Sequence, residues 1–177
     1  MNSCDLMALL CLILAGGKSR RMGHDKTLLY DSVNTLSRRL EEKGCRVVVA
    51  CGSNERNVLF SSPTWSDPVE ATSLADVLRM FAAEHDEEIQ LFPCDMYRLD
   101  VEAINVVLSQ SPGVPVDIDG REQYTLTRIP RAYDFPTVSS LNELFANLNR
   151  NDMGTLENRL ENFNHPKQID DLNKSNQ

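Results

Sequence analysis

Short continuous apolar runs alternate along the chain with stretches in which apolar residues recur every three or four positions. That rhythm predicts buried strands separated by amphipathic helices. The first run, Leu9-Leu10-Cys11-Leu12-Ile13-Leu14, stops at the pair Gly16-Gly17. Leu28, Leu29, Leu36 and Leu40 then fall partly at helical spacing, and the span closes on Lys43-Gly44, a basic last turn with a glycine stop. The β-branched run Arg46-Val47-Val48-Val49-Ala50-Cys51 predicts a second buried strand, ended by Gly52-Ser53-Asn54. Strand, helix, strand is the βαβ unit of a parallel sheet.

Residues 52–72 carry loop chemistry, with Ser61-Ser62-Pro63 and Asp67-Pro68 as breakers around a short stretch holding Trp65. Ser73 is placed to cap a helix over 74–85, whose Leu74, Val77, Leu78 and Phe81 form one apolar stripe. Ile89-Gln90-Leu91-Phe92 predicts a further strand that delivers Pro93-Cys94-Asp95-Met96 to its carboxyl end. A helix over 101–108 ends at Ser111-Pro112-Gly113, and residues 114–118 and 123–127 alternate around Asp119-Gly120, a hairpin signal that makes the sheet mixed. Thr137 or Ser139 starts a helix holding Leu141, Leu144, Phe145 and Leu148, and a terminal helix is expected over 167–172.

Length and composition narrow the picture. With 177 residues and no internal repeat, one domain spanning 1–177 with a sizeable core is expected. No apolar run approaches the roughly 18 residues that a membrane helix needs, and no basic leader precedes Leu9, which argues against a signal peptide. A net charge of -8 excludes non-specific nucleic-acid binding, which depends on Lys and Arg neutralising phosphates. The five cysteines, Cys4, Cys11, Cys45, Cys51 and Cys94, are an odd set, and three lie in or beside apolar runs. They read as small core residues of a reduced compartment, and a cytoplasmic location is expected. His24, His85 and His165 show no metal-ligand spacing.

The chemistry concentrates where the first strand empties. Gly16-Gly17-Lys18-Ser19 offers backbone N–H groups that can approach a polyphosphate closely, and Lys18, Arg20, Arg21 and Lys26 follow within ten residues. A P-loop would need a glycine five positions before Gly17, where Leu12 stands inside the strand. Glycines at 16, 17 and 23 do not fit the dinucleotide fingerprint either. In open α/β sheets ligands bind beyond the carboxyl ends of strands, which places Asp95 to face the glycine loop.

Leu14, Ala15, Gly16, Gly17, Ser19, Arg21, Met22, Gly23, Asp25 and Lys26 fill every fixed position of L-A-G-G-x-S-x-R-M-G-x-D-K. The stretch thereby resembles the molybdenum cofactor guanylyltransferases of the nucleotidyltransferase superfamily. Pro93-Cys94-Asp95-Met96 is similar to the family's P-C-D-M/T-P element, with Tyr97 in place of the last proline, and Asn162-Phe163-Asn164-His165-Pro166 resembles its N-x-N-T-P element. Val69-Glu70-Ala71-Thr72-Ser73 stands where the family carries G-P-L-x-G.

The resemblance implies a Rossmann-like, three-layer α/β nucleotidyltransferase fold with a mostly parallel sheet and a small antiparallel hairpin. It implies transfer of GMP from GTP to molybdenum-molybdopterin, forming molybdopterin guanine dinucleotide and releasing pyrophosphate. Leu14, Ala15, Gly16, Gly17, Lys18, Ser19, Lys26, Asp67 and Asp95 would then bind the nucleotide, Asp95 would hold Mg2+, and Asn162 and Asn164 would meet the pterin acceptor. Lys26 and Arg21 are placed to neutralise transition-state charge beside Asp95, and Asp25 to orient one of them. GTP, molybdopterin and, transiently, cofactor-delivering or molybdoenzyme proteins are the implied partners, with no nucleic acid and no membrane. Use of CTP or another phosphorylated acceptor, and nucleotide binding without turnover, remain open alternatives.

Overall fold

A computed structural model describes residues 9–16 and 31–163 of the chain. Four parallel strands, β1 (Leu9–Leu14), β2 (Arg46–Gly52), β3 (Thr64–Ser66) and β4 (Glu88–Pro93), build most of a five-stranded sheet. Strand β6 (Arg128–Ile129) runs antiparallel to β4, and the order across the sheet is β3-β2-β1-β4-β6. A second, two-stranded sheet pairs β5 (Val114–Val116) in parallel with β7 (Arg150–Asp152).

Strand β1 lies at the centre, which explains its uninterrupted apolar sequence. Leu9, Cys11 and Ile13 face a core formed with Val33 and Leu40 of α1 (Ser32–Glu42) and with Ala103, Ile104, Val107 and Leu108 of α3 (Val101–Ser109). Leu10 and Leu12 face the opposite core, with Ala75, Leu78 and Phe81 of α2 (Leu74–Ala83) and with Leu144 of α4 (Leu141–Leu144). Alternate residues therefore enter opposite cores, and the mostly parallel sheet sits between helices in three layers.

The helix boundaries follow their sequence signals. Ser73 and Asp76 form a capping box at α2. Asp100 caps α3 by accepting the Ala103 N–H at 2.8 Å, and Gly44, at φ +83°, carries the chain out of α1. The first part of the helix expected before Ser32, with Leu28 and Leu29, and the helix expected over 167–172 lie outside the described residues. No helix among the described residues is long and apolar enough to cross a membrane.

Three expected elements take a different form. Trp65 does not sit in a loop but in β3, paired with Ala50, while its ring packs edge-on against Phe81 at 5.3 Å. The turn at Asp119-Gly120 forms, with Gly120 at φ +78° and its N–H donating to the Asp117 carbonyl at 3.0 Å. Only the single bridge Val116–Glu122 closes it, however, and residues 124–126 wind into a 3-10 turn, so the sheet's antiparallel pairing is that of β4 with β6. Pro115 limits the hairpin ladder, because its carbonyl accepts the Gln123 N–H at 2.8 Å but proline has no N–H to return, while the other edge of β5 pairs with β7, the Val116 carbonyl accepting the Met153 N–H at 2.8 Å. The helix at Leu141 stops after one turn, and Phe145, fully buried, follows it as a core anchor.

Candidate active site

Three strands end in step. Leu14 pairs with Ala50 on one side and with Pro93 on the other, so Gly16, Gly52 and Asp95 each stand two residues beyond the same row. At that edge the backbones of β1 and β2 touch. A Cβ on Gly16 would stand 2.9 Å from Gly52 Cα, and one on Gly52 would stand 2.8 Å from Gly16 Cα. Gly52 also takes φ +86°, a left-handed conformation that disfavours side chains. Two glycines are therefore required for one contact.

Asp67 sits against this contact. It leaves β3 with its N–H donating to the Gly52 carbonyl at 3.1 Å, and its carboxylate Oδ2 comes within 3.1 Å of where a Gly16 Cβ would stand. Burial pushes the Asp67 carboxyl above the usual range, while the charge of Arg56, on the 3-10 turn Asn54–Leu59, pulls the other way. Ala15 is fully buried and its N–H donates to the Ala50 carbonyl at 2.9 Å, so its backbone holds the end of β1 against β2.

The other half of the site gathers around Asp95. This half-buried aspartate lies on the turn after β4, and its backbone carbonyl accepts the Phe163 N–H at 3.0 Å. Phe163, 1% exposed, meets Tyr97 edge-on at 5.4 Å, and the Arg98 guanidinium lies 5.4 Å from its ring centre. Arg98 Nη1 also pairs with Glu161 Oε2 at 3.0 Å. Tyr97, standing in the last-proline position of the motif, thus helps clamp residues 161–163 onto the Asp95 turn. Asn162 is carried there, and its Nδ2 donates to Gln123 Oε1 at 2.9 Å.

The fold brings Leu14, Ala15, Gly16, Asp67 and Asp95 to one edge of the sheet and ties Asn162 beside Asp95. Gly17, Lys18, Ser19, Arg21, Asp25, Lys26 and Asn164 lie outside the described residues. No group of three or more His, Cys, Asp or Glu side chains able to hold a metal occurs among the described residues. Asp95 nevertheless suits magnesium, which keeps most of its waters and needs only one or two carboxylates beside substrate phosphates. Two residues gain importance that their sequence context did not give them. Gly52 could be suspected as a glycine closing an apolar strand, whereas nothing local marks Gln123, 8% exposed, as a partner of Asn162.

The sequence model of the family described as "MobA-like NTP transferase domain" matches residues 11–151. Among solved structures, the crystal structure of the protein Aq1419 from Aquifex aeolicus VF5 is similar, with a TM-score of 0.65 at 19% identity. The match covers 87% of this chain and 92% of that one, and the likeness is one of fold. No curated protein matches.

Proposed function

The chain belongs to the MobA-like NTP transferase domain family, and from that premise we propose that it transfers GMP from GTP to molybdenum-bearing molybdopterin and releases pyrophosphate. Its domain is that of a nucleotidyltransferase. The observation that supports the finer reading most is the common sheet edge that carries the Gly16–Gly52 contact, Asp67 and Asp95.

In this reading the acceptor's phosphate oxygen attacks the α-phosphorus of GTP, and the bond to the β-phosphate oxygen breaks as pyrophosphate leaves. The Gly16 backbone admits the nucleotide close to the sheet edge, and Asp67 accepts hydrogen bonds from it. Lys26 and Arg21 offset charge that develops on the transferring phosphate. Asp95, together with substrate phosphates, would hold magnesium, which when bound would supply charge neutralisation for the triphosphate. Asn162 and Asn164 receive the pterin acceptor.

The test is pyrophosphate release by the purified protein with magnesium and molybdopterin, comparing GTP, CTP, ATP and UTP. Release with GTP alone is expected. Release with CTP would move the protein to the sister activity. GTP binding with no release would favour a non-catalytic binder, a reading to which the segment after Asp67 lends weight, since Val69 stands in place of the family's glycine.

A further inference from the structure

A cleft of about 430 Å3, an ordinary size for a small-molecule site, opens where α2 ends, β4 begins and the chain leaves β6. Ala82, Ile89, Ile129, Pro130, Tyr133 and Phe135 give it an apolar lining. Tyr133 meets Phe135 edge-on at 4.9 Å, and the ring of His85, also in the lining, stacks on Phe81 at 4.1 Å. Strand β4 starts here at Glu88 and reaches Asp95 only beyond its carboxyl end, so a ligand in this cleft leaves the Asp95 edge open.

The charges in the lining are paired, with one exception. Asp86 is held by Arg131, whose Nε donates to Oδ1 at 3.1 Å, and Glu87 pairs with Arg46 at 2.7 Å. Arg79, the guanidinium of the lining, pairs with Asp76 at 3.3 Å. Glu84 has no cation among the described residues, and its Oε2 accepts only the neutral indole N–H of Trp65 at 3.0 Å. It stands at the C-cap of α2, whose last turn holds no basic residue, so its charge adds to the negative end of the helix dipole. Beside it, His85 Nδ1 lies 2.8 Å from the Phe81 carbonyl. A carbonyl only accepts, so Nδ1 carries the proton and the neutral ring presents Nε2 as an acceptor. A carboxylate without a counter-ion, a helix C-terminus and an imidazole acceptor all favour a cationic donor.

We propose that this cleft binds a small organic cation, a protonated amine on a flat apolar body, with the ammonium on Glu84 and His85 and the body against Ile89, Ile129, Tyr133 and Phe135. An ammonium has three N–H donors, enough for both groups, and aromatic walls add attraction for a cation. A bare metal ion fits poorly, because a mostly apolar wall offers little to replace its waters.

Trp65 is the only tryptophan of the chain, and its bond to Glu84 makes its emission a reporter of that carboxylate. The test titrates the whole protein with benzylamine, benzyl alcohol and benzoate, probes of like shape that carry a positive, a neutral and a negative group, and follows heat and Trp65 emission. Benzylamine should shift the emission and bind about tenfold more tightly than benzyl alcohol, close to the gain of one charge-assisted hydrogen bond. Benzoate should bind weakest. Glu84→Gln removes the charge while its amide oxygen still accepts the indole N–H, so it should weaken benzylamine about tenfold with little change in melting temperature. Glu157→Gln, which alters an exposed carboxylate outside the cleft, should leave benzylamine binding unchanged.

Equal affinity for the three probes, or binding of none, would overturn the proposal. Benzoate binding tightest would overturn it too and give the cleft to Arg79. Benzylamine binding that leaves Trp65 emission unmoved, or that both variants weaken alike, would be attraction to the acidic surface at large, net charge -8, and would equally overturn it. None of these readouts depends on the transferase reading.

Discussion

The two halves of the site are built by different means. At the β1–β2 edge, the backbones meet at Gly16 and Gly52 with no room for a Cβ, and Asp67 is the carboxylate set against them. Around the turn after β4, Asp95 and Asn162 come from distant parts of the sequence and are joined by the Phe163 N–H, the Tyr97 and Arg98 contacts to the Phe163 ring, and the Gln123 amide. The first half is steric and tolerates little change. The second depends on hydrogen-bond polarity, which substitution can reverse without altering shape. The departure Val69-Glu70-Ala71-Thr72-Ser73 follows Asp67, beside the steric half, whereas Tyr97 adds a contact in the polar half.

The largest expected effect separates chemistry from framework. Asp95→Ala should lower pyrophosphate release by about a thousandfold, at the upper range for losing one preorganised charge interaction. The protein should still fold, because the contact shown between Asp95 and Phe163 uses the backbone carbonyl, which alanine retains. Pyrophosphate release and a melting curve check both halves of that statement, and an active variant would remove Asp95 from the chemistry.

Next comes Gly52→Ala, which strikes the steric half. Its φ of +86° alone costs about 1–2 kcal/mol for a residue with a Cβ, and that Cβ would also stand 2.9 Å from the Gly16 carbonyl oxygen. Gly44→Ala is the control, since Gly44 has φ +83° and nothing within 4 Å of an added Cβ. Gly52→Ala should therefore melt lower than Gly44→Ala and bind GTP more weakly. Equal melting temperatures would mean that the β1–β2 edge yields easily and that the contrast between the halves is overstated.

The same contrast governs what could be read from the chain. Strand β1 was legible because a strand buried on both faces needs an unbroken apolar run, and Ser73 because a helix that begins there needs a side-chain acceptor. Strand β3 was not, since Thr64–Ser66 is three residues at the sheet edge, too short to show a period. The pairing of β5 with β7 was equally hidden, because Pro115 breaks one strand pattern and Arg150–Asp152 is wholly polar. Of the site, Gly16 lay in a local signature and Asp95 at the end of an expected strand, whereas Asp67 lay in an expected loop and was marked by the family resemblance alone. The link from Gln123 to Asn162 spans residues that only the folded chain brings together, and Gln123 sat in a stretch whose alternation suggested an ordinary strand.

The smallest expected effect runs opposite in stability and in binding. Burial raises the Asp67 carboxyl, so the fold favours its protonated form. By linkage, the stability this group contributes is fully present below its unfolded value, about 4, and is lost as pH rises through the higher folded value. At neutral pH the buried charge is therefore a cost, and Asp67→Asn should melt at or above the wild-type temperature at pH 7. That advantage should shrink as pH falls toward about 4. Asp76 works in the other direction. Hydrogen bonds, first from the Thr72 hydroxyl and then from Ser73, hold its carboxyl well below the usual range, so its contribution is lost as pH falls. The comparison must therefore be variant minus wild type, in which Asp76 cancels. The variant should bind GTP about tenfold more weakly, close to the loss of one charge-assisted hydrogen bond. Wild-type affinity should fall on acidification through the raised pKa of Asp67, while the variant's stays flatter. Calorimetric titration with GTP and melting curves across that pH range decide the point: a variant less stable at pH 7 with unchanged GTP affinity would make Asp67 a structural residue and leave the proposed nucleotide contact at the β1–β2 edge to backbone alone.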